Sequence, residues 1–490
     1  MLKLKKLKNF YHVWSIMSKL PDITKKFPDW YQEVIYEAEL AEQAPVRGCV
    51  VIRPYGNAIW EEIKAVLDKK IKDTGHENAI FPLLIPLSFL EKEAEHVAGF
   101  APELAIVTHA GGKKLEEPLV VRPTSETMIH AMFAKWIKSY RDLPLKINQW
   151  ANVMRWEKRP RAFLRTSEFF WQEGHTAHET HEEALQETLL MLSEYVDLAQ
   201  NYLAIPVIQG RKSPSEQFPG AEATYTFEGF MIDGKALQMG TSHLLSQNFA
   251  KSFDMKFQNK EGQIAYPYLT SWGATTRLVG AIIASHGDQK GLIIPPRIAP
   301  IQLVIIPIYR SDEEKLHVLA AAHEMTNILK KAGIRVKCDD NDNMKPGAKF
   351  FKWELRGIPF RLEIGPRDLA AGTAMIASRL SGEKQSIAMN DLITLLPGML
   401  DQFHHELFAT AQARYEKMWH KIEKIENFGK QLEEQAGIYQ TGWCRDAACE
   451  QLLKPFTGSI RCLLSDRQEM KECFGCNKPS VVDVIAGKSY

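Results

Sequence analysis

Apolar positions recur with helical spacing over residues 30–42, starting at Trp30-Tyr31-Gln32-Glu33-Val34-Ile35, which predicts an amphipathic helix. The β-branched run from Gly48 to Pro54 predicts a strand, and a helical pattern returns from Ala58 to Lys72 before Gly75. Residues 150–175 change to a two-residue alternation of aromatic and charged side chains, then revert to a helical pattern from Glu182 to Tyr202. Prolines at 295, 296 and 300 mark a linker. Beyond it the pattern reads strand 302–308, helix 312–332, strand Ile334 to Cys338, helix 347–356, strand Phe360 to Ile364. That order predicts a small α/β unit with parallel strands. From about residue 398 a helical stretch with Lys and Glu at i,i+4 spacing runs to Gly429 and leads into a cysteine-bearing tail.

Composition narrows the class. At 490 residues, about three domains are expected at roughly 150 residues each. With 25% charged and 45% hydrophobic residues, disorder and collagen-like structure are excluded. Lys plus Arg number 61 against 60 for Asp plus Glu, so no globally basic coat is present. DNA is not an expected partner, and any polyanion must meet a local patch. Apolar runs such as Leu303-Val304-Ile305-Ile306 fall far short of the ~20 residues a bilayer requires, so no membrane partner is expected. Residues 1–20 carry five lysines and no acid but no long apolar stretch, and read as a basic leader in which Met17 is an alternative start. Seven cysteines, an odd number in a long chain, argue against a disulfide framework and for a reducing, cytoplasmic setting.

The densest chemistry lies at Arg155-Trp156-Glu157, Lys158-Arg159-Pro160-Arg161 and Arg165-Thr166-Ser167-Glu168-Phe169. The pattern predicts a strand–loop–strand hairpin with a basic tip, Arg155 and Glu157 two apart on one strand face, and an arginine and an aromatic on the other strand. A nucleotide uses those groups: a guanidinium for phosphate, a carboxylate for a metal or amine, an aromatic plane for the base. Taken alone, R-x-E is usually a weak surface ion pair.

The hairpin resembles motif 2 of class II aminoacyl-tRNA synthetases. Arg53-Pro54-Tyr55-Gly56 resembles motif 1, and Gly273-Ala274-Thr275-Thr276-Arg277 resembles motif 3. Arg122-Pro123-Thr124-Ser125-Glu126, Trp171-Gln172-Glu173-Gly174-His175, Gln238-Met239-Gly240-Thr241-Ser242-His243 and Gly365-Pro366-Arg367-Asp368 together resemble the prolyl-tRNA synthetase family, across roughly residues 20–490. The cysteine-bearing end is similar to its archaeal and eukaryotic type.

The resemblance implies an α+β protein: a class II catalytic domain on an antiparallel sheet over 21–296, an α/β anticodon-binding domain over 297–398, and a small zinc-binding domain over 399–490. It implies ligation of L-proline to tRNA(Pro) with ATP and Mg2+ through a prolyl-adenylate, by a homodimer joined at motif 1. Arg155, Glu157 and Arg277 take the catalytic positions. Arg155 would hold the α-phosphate and the proline carboxylate, and Glu157 would lie near the adenine amine and the metal. Arg165, Thr166, Gln238, Thr241 and Thr275 would complete the ATP site, with adenine between Phe169 and Arg277. Thr124 and Glu126 would accept the pyrrolidine NH2+, His243 would close the pocket, and Trp171, His175 and Phe218 would wall it. In the α/β unit, Glu363 and Arg367 would read anticodon bases while lysines meet phosphates. Two rivals remain: another class II specificity such as threonine or glycine, and a non-catalytic RNA-binding relative. Only 63 residues separate Gly174 from Gln238, too few for an editing domain there.

In the tail, Cys444 and Cys449, then Cys473 and Cys476, form two short pairs that suit one tetrahedral structural zinc. Cys462 lies between them without a near partner, and Cys49 and Cys338 are expected as buried thiols in strands. His175, His178 and His181 lack the i,i+4 spacing of a helical metal pair. A pocket role is preferred for His175, with His178 and His181 at a helix start.

Overall fold

The computed structural model describes residues 20–91, 104–464 and 467–490. Residues 1–19 of the leader lie outside them.

The first helix, α1 (Phe27–Glu37), buries Trp30, Tyr31, Val34 and Ile35, the stripe its spacing requires. It stops earlier than the pattern suggested because residues 41–43 form a strand, β1 (Ala41–Gln43), against β2 (Val50–Ile52). Pro54 then opens α2 (Pro54–Asp73), a position where its missing N–H costs no helical hydrogen bond. Arg53, at the N-cap, pairs with Glu39 at 2.9 Å and Glu42 at 2.6 Å.

The core of the molecule is one sheet. From one edge to the other its catalytic strands are β3 (Glu77–Asn78), β4 (Leu145–Met154), β5 (Glu168–His178), then β9 (Tyr268–Thr275), β8 (Ala236–Ser246), β7 (Ala223–Phe230) and β6 (Val207–Arg211). From β4 to β6 every pairing is antiparallel. One face carries α4 (His181–Asp197) together with α2; the other holds α3 (Glu126–Trp136) and the site. Helix α5 (Arg277–His286), small and apolar, is buried along its length.

The α/β unit has β10 (Leu303–Pro307) parallel to β11 (Val336–Cys338) and to β12 (Phe360–Ile364), as the sequence predicts. Two further strands, β13 (Thr373–Ser378) and β14 (Lys384–Ala388), add antiparallel pairs that the sequence reading did not identify. Helices α6 (Asp312–Lys331) and α7 (Pro346–Leu355) supply the crossovers.

The helical stretch read from 398 to Gly429 is two helices. The first, α8 (Leu392–Lys417), buries Leu392, Leu396, Leu400, Phe403 and Leu407. Residues 419–421 then leave the helix to become β15 (Trp419–Lys421), parallel to β16 (Ile438–Trp443), before α9 (Ile425–Glu434) begins. Strands β17 (Gly458–Leu464) and β18 (Val482–Lys488) complete the C-terminal part. Through β17, Leu463 pairs with Arg211 of β6, so these strands continue the catalytic sheet. No described helix is long and apolar enough to cross a membrane.

Candidate active site

Strands β4 and β5 pair from Leu145↔Ala177 to Met154↔Glu168. Arg155 and Glu157 therefore lie just past the strand end, not on it. The ladder is diverted because the Ser167 N–H donates to Gly48 O (2.8 Å), a third segment, while Ser167 O accepts from Arg155 N (2.8 Å) and Ser167 Oγ from Glu157 N (3.1 Å). Arg155 Nε donates to Pro123 O at 3.0 Å, and its guanidinium lies 5.4 Å from the Phe169 ring centroid and 5.5 Å from that of Trp171. Phe169 thus already has a cation at its ring, supplied by Arg155, where the family pattern puts Arg277 across the adenine. Glu157 is ion-paired with Arg165. Burial opposes its ionisation, but the Arg159 N–H and Arg165 prevail and hold it below the usual carboxylate range.

Arg277 opens α5 beneath the hairpin, donating to Leu164 O (3.1 Å) and Gln238 O (2.9 Å). Both partners are neutral carbonyls. Burial, then repulsion from Arg155 and Arg165, lowers its pKa to about 10. Arg277 thus lies half-buried, with no carboxylate ion-paired to it among the described residues and with two further guanidinium groups nearby, an arrangement chemically suited to an anion, since a phosphate between them would relieve the repulsion.

The other end of the same cavity is lined by Thr124, Glu126, Trp171, His175, Phe218 and His243. Glu173, which the sequence reading quoted within a motif but gave no role, organises this end. It is buried on β5 and accepts from Thr124 Oγ1 (3.1 Å), Ser125 N (3.2 Å to each oxygen), Gln149 Nε2 (2.9 Å) and His175 Nε2 (3.5 Å). Burial works against its charge; donation from His175 and Ser125 outweighs that and keeps it below the usual range. The carboxylate thereby fixes the start of α3, from which Glu126 projects. His243 bridges Thr224 Oγ1 and Thr241 Oγ1, each at 3.0 Å, with the Phe218 ring tilted against it at a centroid distance of 4.8 Å. Burial, with His175 nearby, depresses its pKa to about 3, so it is neutral. His130, also missed, is buried against His175 at 5.6 Å, and the donor atoms of Glu126, His130 and His175 lie within 4.8 Å of one another. Its spacing of four from Glu126 on one helix was the available signal.

Every side chain assigned from sequence to proline or ATP lines this one cavity of about 490 Å³, together with Glu216 and Gln217, which were not anticipated. The three spaced histidines do not converge. His175 faces the cavity; His178 faces the other side, beside Thr176 at 2.8 Å; and half-exposed His181 pairs with Glu222 at 2.9 Å. His181 opens α4 as expected, whereas His178 ends β5.

Elsewhere, Cys444, Cys449, Cys473 and Cys476 come together, with Sγ separations of 3.7 Å (444–449) and 3.6 Å (444–476). A tetrahedron with Zn–S of ~2.3 Å has edges of about 3.8 Å, so this is a metal-compatible thiol set. Cys462 and Cys49 are buried and Cys338 half-buried. In the α/β unit, Glu363 accepts from Arg361 (2.9 Å) and Lys384 (2.8 Å), while Arg367 is exposed on a short helix that starts at Pro366.

Residues 109–286 match the model of the tRNA synthetase class II core domain (G, H, P, S and T), and residues 302–398 that of the anticodon binding domain. The chain is a class II aminoacyl-tRNA synthetase. Residues 425–490 match the C-terminal domain of prolyl-tRNA synthetase. The proline--tRNA ligase 2 of Clostridioides difficile (strain 630) is 50% identical over 474 residues, covering 96% of this chain and 98% of the relative. The proline--tRNA ligase of Acetoanaerobium sticklandii is 50% identical with the same coverage. A crystal structure of prolyl-tRNA synthetase from Cryptosporidium parvum, complexed with halofuginone and AMPPNP, is 41% identical with a TM-score of 0.91, covering 96% of this chain and 99% of that one. The chain belongs to the prolyl-tRNA synthetase family, and its activity is the ligation of proline to tRNA(Pro).

Proposed function

We propose that the cavity seats ATP and proline end to end, with Arg155 at the junction. The observation that carries this assignment is the convergence of Arg155 and Arg277, more than a hundred residues apart, on one cavity whose other end presents Thr124, Glu126, His175 and His243. In the first step the proline carboxylate attacks the α-phosphorus in line and pyrophosphate leaves. The charge that builds on the phosphoryl oxygens is met by preorganised guanidinium groups. Glu157, ionised at the cavity wall, is the carboxylate suited to hold Mg2+, which would supply further charge neutralisation. Arg165, Thr166, Gln238, Thr241 and Thr275 complete the nucleotide end, and Phe169 offers a stacking plane. At the amino-acid end, Glu126 and Thr124 accept the pyrrolidine NH2+; neutral His243, Phe218 and Trp171 provide a mainly apolar wall. No protein nucleophile is required, and no residue is assigned as base for transfer to the tRNA ribose.

The thiol set suits one structural Zn2+, since four protein ligands would leave no open position for water. Glu363 and Arg367 are assigned to the anticodon end of the α/β unit, at the carboxyl end of a parallel strand. A homodimer across motif 1 is supported by Val46 and Val51, both about half exposed on the hairpin beside Arg53. Cytoplasmic residence fits seven cysteines outside any disulfide. The domain limits 21–296, 297–398 and 399–490 fit the matched segments, and the short span from Gly174 to Gln238 supports the absence of an editing insertion there. ATP–pyrophosphate exchange over all amino acids tests the pocket assignment: proline should support the highest kcat/KM, with small analogues such as alanine and cysteine only about 10- to 200-fold behind on a methylene's worth of discrimination, and Arg155→Ala should abolish turnover by removing transition-state charge stabilisation. Unchanged turnover in that variant would place the site elsewhere.

A further inference from the structure

The segment from Lys212 to Pro219 leaves β6 and forms one wall of the cavity, contributing Glu216, Gln217, Phe218 and Pro219. Its near end is held by the C-terminal part of the chain. Ser213 Oγ donates to Glu450 Oε1 at 2.6 Å, and both side chains are buried. One residue earlier, Lys212 Nζ meets Glu228 Oε1 at 2.5 Å, and the same carboxylate is gripped by Arg461 of β17 at 2.7 and 3.1 Å. Lys212, Glu228 and Arg461 are each nearly inaccessible. Two cations on one carboxylate leave a positive excess, and Glu216, in the cavity wall, is among the acids that help keep Arg461 charged.

The far end of the segment is fixed to the catalytic sheet. Glu216 N closes a turn onto Ser213 O (3.1 Å), Phe218 N donates to Thr224 Oγ1 (2.9 Å), and that hydroxyl also meets His243. A run of hydrogen bonds and covalent links therefore leads from Glu450, next to the metal-compatible Cys449, through Ser213 to Phe218 and His243 at the proline end. Of the nucleotide end only Thr241 touches this run, through His243 at 3.0 Å; the guanidinium groups and the other threonines lie on the hairpin, β9 and α5, outside it.

We infer that the C-terminal domain sets the proline-binding wall, with Glu450 and Ser213 acting as positioning residues that govern affinity for the amino acid and not for ATP. This rests on the assignment of that wall to proline. Without Glu450 the buried Ser213 hydroxyl keeps only the longer contact to Ser215 Oγ (3.2 Å), and the turn it anchors relaxes; loss of a buried hydrogen bond to a carboxyl group accounts for about a tenfold change in binding. Coupling of this kind needs a contiguous packed path, which the hydrogen bonds provide.

The experiment is steady-state ATP–pyrophosphate exchange on the full-length protein with Ser213→Ala, Glu450→Ala, the double variant, and the conservative Ser213→Thr and Glu450→Gln. The expected result is a KM for proline raised about tenfold in each alanine variant, with the KM for ATP unchanged. The double variant should be no worse than either single one, and the conservative variants should recover most of the loss. Ser213→Ala lies outside the C-terminal domain, so the test survives if Glu450→Ala fails to fold. An unmoved KM for proline, equal rises for proline and ATP, or a fall in kcat alone would each overturn the inference. Absence of proline-dependent exchange in the unmodified protein would instead overturn the pocket assignment.

Discussion

Glu173→Gln is the most revealing single substitution in the amino-acid pocket because it keeps shape and removes charge. The carboxylate accepts from Thr124, Ser125, Gln149 and His175. Gln149 cannot adapt by rotating its amide, since its Oε1 already accepts from Phe81 N at 2.7 Å and its Nε2 also donates to Ser125 Oγ at 2.7 Å. The new amide must keep its oxygen toward Gln149 and turn its NH2 toward Thr124 and His175. Thr124 can reverse its hydroxyl and His175 its tautomer, but the Ser125 N–H, shared between both oxygens, then faces one acceptor and one donor. Charge-assisted bonds worth about 1.5–3 kcal/mol each become neutral ones of about 1, and one is compromised. A net loss of about 2–3 kcal/mol follows, or roughly 30- to 150-fold in kcat/KM for proline. Proline-dependent pyrophosphate exchange measures it, with binding of a non-hydrolysable ATP analogue as the control that should hold. A fall smaller than about threefold would refute the claim that this charge sets the start of α3.

Acid should destabilise the fold through its neutral histidines. Burial lowers His243 and His286 to about 3 and His178 to about 4, against an ordinary value near 6.5. Their unfolded forms bind protons first, so stability is full above about pH 6.5 and falls as pH drops toward 4. At pH 5 each contributes a loss of up to about 2 kcal/mol, and thermal melting at pH 7.5, 6 and 5 should show the midpoint decline before carboxylates titrate. A flat profile down to pH 5 would mean these rings are hydrated. For the thiol set, Cys473→Ser should lower bound zinc from about one per chain to near zero by elemental analysis, and chelation of the unmodified protein should lower the melting midpoint. Full zinc content in that variant would reject a four-cysteine site.

Much of the site was legible because its residues sit in short segments with strong local spacing: Thr124-Ser125-Glu126 at a helix start, Arg155 to Phe169 around a turn, Gln238 to His243 on a strand. Their convergence was not derivable from periodicity; the family resemblance supplied it. Glu173 escaped notice because its value lies largely in donors from two other segments distant in sequence, at Thr124-Ser125 and Gln149, joined by His175 on its own strand. The placement of Arg155 and Glu157 on a strand failed for a similar reason, since Gly48, over a hundred residues earlier, takes the Ser167 N–H that would have extended the ladder. In the same way, residues 419–421 lie within a run of helix-forming Lys and Glu but become a strand because Ile438–Gln440 offers parallel partners.

The largest feature invisible from the sequence is the seam between β6 and β17, and its chemistry bears on function. Gly210 faces it so closely that a Cβ would lie 2.4 Å from Leu463 O and 3.0 Å from Cys462 Cβ, so there is no room for a side chain at this position. Two residues on, Lys212 enters the buried charge cluster, and three residues on, Ser213 meets Glu450. A seam with that little free volume cannot slide without breaking buried ion pairs, at a cost of about 3–5 kcal/mol when one partner is lost. The cysteine-bearing end is therefore bonded rigidly to the strand from which the pocket wall departs. On the proposed assignment, that bonding is how a domain with no described side chain in the cavity lining would fix the position of the residues that receive proline.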